Sequence, residues 1–230
     1  MREAVVDTET TGLDPTNGDR IVEIGVIKLL NHMPTGETYH QYINPQRTMP
    51  KEAFAVHGLG DDFLCNKPVF AEIASDFLDF IDDAKLVIHN APFDMKFINA
   101  ELDWIKQPRI PFERVIDTLT IARERFPGSP ASLDALCRRF GIITETRTLH
   151  GALLDSELLA EVYLELMGGR QPGLTLADDT TSSNSTEALD QVWRPSSRPA
   201  PLPERETPEE RARHSELIDK LGDNALWRLR

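Results

Sequence analysis

Five residues in the first two thirds of the chain could do chemistry together. Asp7 and Glu9 stand in VVDTETTG, Asp94 in HNAPFD, and His150 with Asp155 in HGALLD. Four carboxylates and one imidazole are the side chains that hold two hard divalent cations and move a proton. That is the equipment for breaking a phosphodiester bond. Each residue also has a plainer reading. An acidic pair two apart can be a solvated strand end. Asp94 and Asp155 can be first-turn acids favoured by a helix dipole, and His150 a loop histidine. The chemical reading depends on whether the five meet in space.

The elements that would have to bring them together can be read from the pattern of apolar residues. Ala4 to Glu9 is a short strand ended by TTG. Asp7 and Glu9, two apart on it, point to one face, and carboxylates that close repel unless a cation such as Mg²⁺ or Mn²⁺ sits between them. Arg20 to Leu30 is a second, β-branched strand, and Glu37 to Ile43 a third, stopped by Asn44-Pro45. The spacer Asp14 to Asp19 predicts a turn between antiparallel neighbours. It superficially suggests a calcium loop, but Gly18 falls where a third ligand is required, which excludes one.

Helices then alternate with strands. Val69 to Ile81 places Phe70, Ile73, Ala74, Phe77 and Phe80/Ile81 at a helical period. Lys85 to His89 is a buried strand, Phe93 to Trp104 an amphipathic helix, and Val115-Ile116 a short strand. Thr118 to Phe126 and Ser132 to Phe140 are helices, the second opened by Ser132 and closed by Gly141. Ala152 to Met167 is the longest helix, ended by Gly168-Gly169. Three strands followed by such alternation predict an α/β fold, a mixed central sheet with helices on its faces. The acids then lie at the ends of elements that surround the first strand.

At 230 residues and 40% hydrophobic content, there is room for one domain and further segments. We assign residues 1–169 to the domain. Residues 170–208, rich in Pro, Ser and Thr, predict a disordered linker. Residues 209–230 return to helical spacing, with Leu217, Ile218 and Leu221 on one side, and end in ALWRLR, an apolar tryptophan-bearing segment suited to docking. Cys65 and Cys137 fit neither a disulfide framework nor a zinc site, as in a reducing cytosol. MREAVVDTE lacks the apolar stretch of a signal peptide, and no run of about 18 apolar residues could span a membrane. The expectation is a soluble cytoplasmic protein. Net charge is −13, and residues 1–168 carry 16 Lys+Arg against 27 Asp+Glu, or −11. A chain so acidic does not hold nucleic acid by its overall field. Nucleic acid is compatible only if a partner delivers it and metals supply positive charge locally.

Asp7-Thr8-Glu9-Thr10-Thr11-Gly12 resembles the first signature of the four-acid DEDD exonucleases, and His89-Asn90-Ala91-Pro92-Phe93-Asp94 resembles the second. His150 five positions before Asp155 is similar to the histidine subtype; the tyrosine subtype has Tyr at a spacing of four. The resemblance implies an RNase H-like fold and a 3′–5′ exonuclease with two divalent cations, Mg²⁺ or Mn²⁺. It implies that Asp7 bridges the ions, Glu9 and Asp155 complete the first site, and Asp94 serves the second. By the same likeness His150 takes the proton of the attacking water, and Glu52 and His57 join Asp7, Glu9 and Asp155 in contacting the terminal nucleotide. Ala53 to Gly58, Ser132 to Cys137 and Arg147 to Asp155 look like the family's proofreading members, which remove mispaired nucleotides from DNA 3′ ends for a replicative polymerase.

The likeness extends past the domain. Gln171-Pro172-Gly173-Leu174-Thr175-Leu176 is similar to a peptide that binds the sliding clamp, through Gln171, Leu174 and Leu176. Leu226-Trp227-Arg228 looks like the end that docks on the polymerase subunit. The implied partners are a DNA 3′ end, that subunit, the clamp and a small accessory subunit. Two rival readings are a 3′-exoribonuclease with the same core and a mainly non-catalytic adaptor joining clamp to polymerase. His89 is expected to be structural, satisfying backbone near the second motif. His32, His40 and His214, outside any motif, are expected at the surface.

Overall fold

A computed structural model of the chain describes residues 1–144, 149–169 and 207–221. The expected clamp-binding residues Gln171, Leu174 and Leu176 and the expected polymerase-docking residues Leu226, Trp227 and Arg228 lie outside these. So does nearly all of the expected linker.

The first predicted strand, β1 (Arg2–Thr10), is the middle of a five-stranded sheet. On one side it pairs antiparallel with β2 (Ile21–Leu30), which pairs antiparallel with β3 (Met33–Tyr42). On the other it pairs parallel with β4 (Lys85–Ile88), and β4 parallel with β5 (Val115–Asp117). The order is β3-β2-β1-β4-β5, the mixed sheet that the sequence predicts. Ala4, Val5 and Val6 are all fully buried. A strand covered on both faces reads as a continuous apolar run rather than an alternation.

The helices follow in chain order as α1 (Lys51–His57), α2 (Asp61–Leu64), α3 (Phe70–Ile81), α4 (Ala91–Trp104), α5 (Thr118–Arg125), α6 (Leu133–Phe140), α7 (Ala152–Leu166) and α8 (Pro208–Leu221). The first two are too short to print a period, and the sequence reading assigns no element there. Ala4, Val6, Ile24 and Val26 pack under Phe70 and Phe77 of α3 and Phe97 and Ile98 of α4. Val5, Ile27, Leu29 and Val87 on the opposite face meet Leu159 and Tyr163 of α7. α6 is capped as read, with Ser132 Oγ accepting from Ala135 N at 3.3 Å and Gly141 left-handed at φ 69°. None of the described helices is long and apolar enough to cross a membrane. The chain divides into two units, Met1–Leu176 and Ala177–Arg230. The described part of the second is α8 and Thr207, whose hydroxyl and backbone N–H make a capping box with Glu210.

Two helices are held hard against the sheet. α4 is tied to the start of β2, where Arg20 Nε and Nη2 donate to Glu101 at 2.8 and 2.7 Å and Ile21 N donates to the same carboxylate at 3.2 Å. α7 is pinned at both ends. Tyr163 OH donates to buried Glu3 at 2.6 Å, and Ser156 Oγ donates to the carbonyl of Gly25 at 3.0 Å. Glycine in mid-strand weakens a sheet and marks a close backbone approach. Here a Cβ on Gly25 would lie 2.3 Å from the Ala152 carbonyl and 2.4 Å from Leu153 N. The first turn of α7 therefore rests directly on β2.

One of the histidines expected at the surface departs from expectation, and a second has a partner the sequence did not announce. His32 is half-buried, not a surface residue; His40 is exposed as expected, but its ring reaches a buried carboxylate. His32 Nδ1 lies 2.9 Å from Glu3 Oε1, and His40 Nε2 lies 2.6 Å from Glu23 Oε1. Both glutamates are buried, and a buried carboxylate requires a donor. His214, on α8, is exposed as expected. His89 is half-buried. Its Nδ1 lies 2.9 Å from the Thr118 hydroxyl, and burial lowers its pKa against the pull of Asp117 and the Ala131 backbone.

Gly25→Ala should push α7 off the sheet. The expected cost is that of overpacking, about 1–3 kcal/mol. Thermal unfolding should show a melting temperature lower by several degrees, with roughly 2–4 °C lost per kcal/mol. An unchanged melting temperature would mean that α7 has another way to seat.

Candidate active site

Asp7 and Glu9 continue the row Glu3-Val5 on the face of β1 that meets α7. Across the antiparallel pair Asp7 stands opposite Gly25 and Glu9 opposite Glu23. The register slips between Glu9 and Thr10, and an irregularity at a strand end re-aims the side chains beside it. Glu9 is buried and Asp7 partly so. The even spacing read from the sequence places both carboxylates as expected.

Asp94 arrives through the parallel neighbour β4. The connection to α4 is two residues, His89 and Asn90, the second turned left-handed at φ 64°, a conformation asparagine tolerates. Pro92 in the first helical turn needs no backbone N–H. This short link sets Asp94, 4% exposed, against β1, where Oδ1 accepts from Thr8 N at 3.1 Å and Thr8 Oγ1 at 2.7 Å. The residue between the two acids of the first motif therefore holds the third acid. Sequence reading missed this role of Thr8. The only signal was that Thr8, odd in the strand's period of two, must point away from Asp7 and Glu9.

Asp155 enters on the first turn of α7, the turn that rests on Gly25. Its Oδ2 lies 3.0 Å from His150 Nδ1, and the ring is about half exposed. His150 N donates to the Val56 carbonyl at 3.2 Å, which ties this loop to the end of α1. Glu9, His150 and Asp155 each offer a ligand atom, and these atoms lie within 4.8 Å of one another.

Electrostatics joins the remaining two acids to that group. The Asp7 carboxyl is held well above the usual range, first by burial and then by the charges of Asp94, Glu9, Asp155 and Glu23. Asp94 is pushed up to about 7 by burial, against its bonds from Thr8. All five residues of the sequence constellation are thus gathered at one end of β1. Oxygen donors crowded to the point of mutual repulsion, with one imidazole beside them, fit hard divalent cations.

The structure separates the two residues expected at the terminal nucleotide. Glu52 is exposed in the first turn of α1. His57, at its end, is 5% exposed and close enough to His150 and Glu23 to feel their charges. Burial lowers its pKa and keeps the ring neutral. Leu59 N donates to Nδ1 at 3.1 Å, so the ring proton sits on Nε2. Buried Nε2 has no well-aligned hydrogen-bond partner among the described residues, although the Thr10 backbone is close enough to pull the pKa up against burial. Gly25, Ser156 and Glu23 also belong to this neighbourhood and went unmarked in the sequence, and His40 was given no role there, because their roles depend on cross-strand and helix-to-sheet contacts.

A family model for exonucleases, RNase_T, matches residues 4–163. The DNA polymerase III subunit epsilon of Rickettsia felis is 49% identical over 224 residues, covering 96% of this chain and 97% of its own. The subunit of the same name from Escherichia coli K12 is 43% identical over 239 residues, covering 99% and 97%. Among solved structures, exonuclease X in complex with 5′ overhanging duplex DNA superimposes with a TM-score of 0.56 at 26% identity, over 71% of this chain and 90% of that one. The chain belongs to the exonuclease family and, within it, to the DNA polymerase III epsilon subunits, and is a 3′–5′ exonuclease.

Proposed function

We propose that this exonuclease proofreads, removing mispaired nucleotides from DNA 3′ ends as a subunit of the polymerase III core. The observation that carries the reading is the convergence of Asp7, Glu9, Asp94, Asp155 and His150 on one end of β1. Asp7, Glu9 and Asp155 would hold one divalent cation, and Asp94 with Asp7 a second, with Mg²⁺ or Mn²⁺ as the hard ions these oxygens prefer. Such ions, when bound, lower the pKa of a water and stabilise the leaving 3′ oxygen.

The chain's own residues supply the rest. His150 presents Nδ1 to the Asp155 carboxylate at 3.0 Å, which fixes a proton there and makes Nε2 the basic atom. In this reading it takes the proton of the attacking water. His57, neutral with its proton on Nε2, offers a buried donor to the terminal nucleotide. Glu52, on the same helix, is proposed to reach that nucleotide from the exposed side. Phe54, Val56 and Leu149, each about half exposed, border the His150 loop and offer an apolar surface to a base.

We assign residues 1–169 to the exonuclease domain, 170–208 to a linker and 209–230 to a docking segment. Gln171, Leu174 and Leu176 would bind the sliding clamp. Leu226, Trp227 and Arg228 would bind the polymerase III alpha subunit. Supporting this, the epsilon subunits match the chain over 96% or more of its length, well beyond the exonuclease domain.

His150→Ala should lower turnover on single-stranded DNA about 10²-fold or more at unchanged melting temperature. A near-normal rate would remove it as the base. Removing residues 222–230 should abolish copurification with the alpha subunit and spare cleavage of free single strands; retained copurification would refute the docking segment. The raised acids give a third test. A carboxyl whose folded pKa is raised binds its proton more tightly in the folded than in the unfolded state, so it costs stability as pH rises from its unfolded to its folded value. For Asp94 that window runs from 3.8 to about 7. Without metal the melting temperature should fall across it, and added Mg²⁺ should raise it more at pH 8 than at pH 5. Equal stabilisation at both would argue against cations on these carboxylates.

A further inference from the structure

Glu23 is a buried carboxylate that the reaction proposed above does not use. It stands across the β1–β2 pair from Glu9, on the same sheet face, and is 3% exposed. Opposite residues in an antiparallel pair bring their Cβ atoms to about 5 Å. His40, from β3, meets its Oε1 at 2.6 Å, and the His40 ring lies edge-on to Tyr42 at 4.7 Å, Tyr42 being Glu23's own partner in the β2–β3 register. Among the described residues, the groups that face Glu23 are Asp7 and Glu9 from β1, His40 and Tyr42 from β3, and His57 from α1. None of them is a fixed cation. Glu23 stays outside the group in which Glu9, His150 and Asp155 bring their ligand atoms together.

We propose that Glu23, held by His40, is a positioning residue for the cation site: a fifth carboxylate that does not ligate the ions but whose fixed charge behind Glu9 tightens their binding. The proposal rests on the reading that Asp7, Glu9 and Asp155 hold divalent cations. Groups one layer behind the ligands change metal affinity by as much as 10–100-fold. A buried charge at this distance is little screened by salt. Asp7 already feels it, since Glu23 is among the charges that hold its carboxyl up. His40 has a matching part. Its hydrogen bond satisfies one carboxylate oxygen and fixes the side chain, which keeps the charge beside Glu9 and away from solvent.

The test measures Mn²⁺ binding to the full chain without DNA, by the loss of the free-ion EPR signal, at a temperature below each variant's melting midpoint. Glu23→Gln keeps the shape and a hydrogen bond to His40, and should weaken Mn²⁺ binding about tenfold. The Mg²⁺ concentration for half-maximal nuclease activity should rise by the same factor, with kcat at saturating Mg²⁺ within about twofold of the wild type. His40→Gln leaves the carboxylate charged and should bind Mn²⁺ no more than about twofold more weakly. Unchanged affinity in Glu23→Gln would overturn the proposal, as would equal weakening in both variants, which marks packing rather than charge. If Glu23→Gln does not fold, Glu23→Asp, which keeps the charge, decides: near-normal affinity supports the proposal and a tenfold loss overturns it. Wild type and Asp7→Asn separate this from the site itself. A wild type that binds no Mn²⁺, or an Asp7→Asn that binds like wild type, would instead refute the cation reading on which the proposal rests.

Discussion

Repulsion among carboxylates is the constraint on which this structure turns. Two unit charges 4 Å apart at an effective dielectric of about 20 repel by about 4 kcal/mol, a sizeable part of the roughly 5–15 kcal/mol that holds a domain together. Asp7, Glu9, Asp94 and Asp155 reach the same place from β1, α4 and α7, so each of those elements must be anchored by something other than the site. Arg20 and Glu101 anchor α4. Gly25 with Ser156 anchors the first turn of α7, and Glu3 with Tyr163 its far half. The His150 loop hangs on the Val56 carbonyl. These contacts lie outside the reacting centre, yet they hold the acids together.

The anchors share a design. Each uses a buried glutamate or a bare backbone group, and each such glutamate is met by donors: Glu101 by Arg20, Glu3 by Tyr163 and His32. A satisfied buried carboxylate fixes direction without adding a mobile charge. The helix ends contribute as well. Asp94 and Asp155 both lie in first turns, where backbone N–H groups favour a negative charge. That offsets part of the desolvation that pushes Asp94 up to about 7. The site is thus tense by construction, and a cation is the least costly way to relax it.

How much of this could be read in advance follows from the range of each signal. Periodicity is local, so the strands around Asp7 and Glu9, the helix at Phe70–Ile81 and the capped helix after Ser132 were legible, as was the mixed sheet they imply. The even spacing of Asp7 and Glu9 correctly gave a shared face. What the sequence could not carry were contacts between distant segments. Gly25 reads as a weak spot in a strand until Ala152 is seen lying on it. His32 reads as a surface residue, and exposed His40 as one without a partner, because nothing in their neighbourhood announces Glu3 and Glu23 beneath them. Thr8 passes as filler between two acids, although it holds the third.

The acidity of the whole chain then takes on a meaning. A net charge of −13 makes the protein's far field repel a polyanion, and cations bound at the proposed site would invert that field locally. Such an enzyme cannot gather DNA by counterion release, the route that makes basic nucleases avid and salt-sensitive. It needs the 3′ end brought to it. On the proposed reading the segment beyond residue 169 does this. Tethering replaces affinity by effective concentration, which reaches millimolar for a short flexible connection. Weak intrinsic binding is then an advantage, because a paired 3′ end is not held away from synthesis. Repulsion inside the site and repulsion around it are consequences of the same acids, and bound cations answer the first as a polymerase partner answers the second.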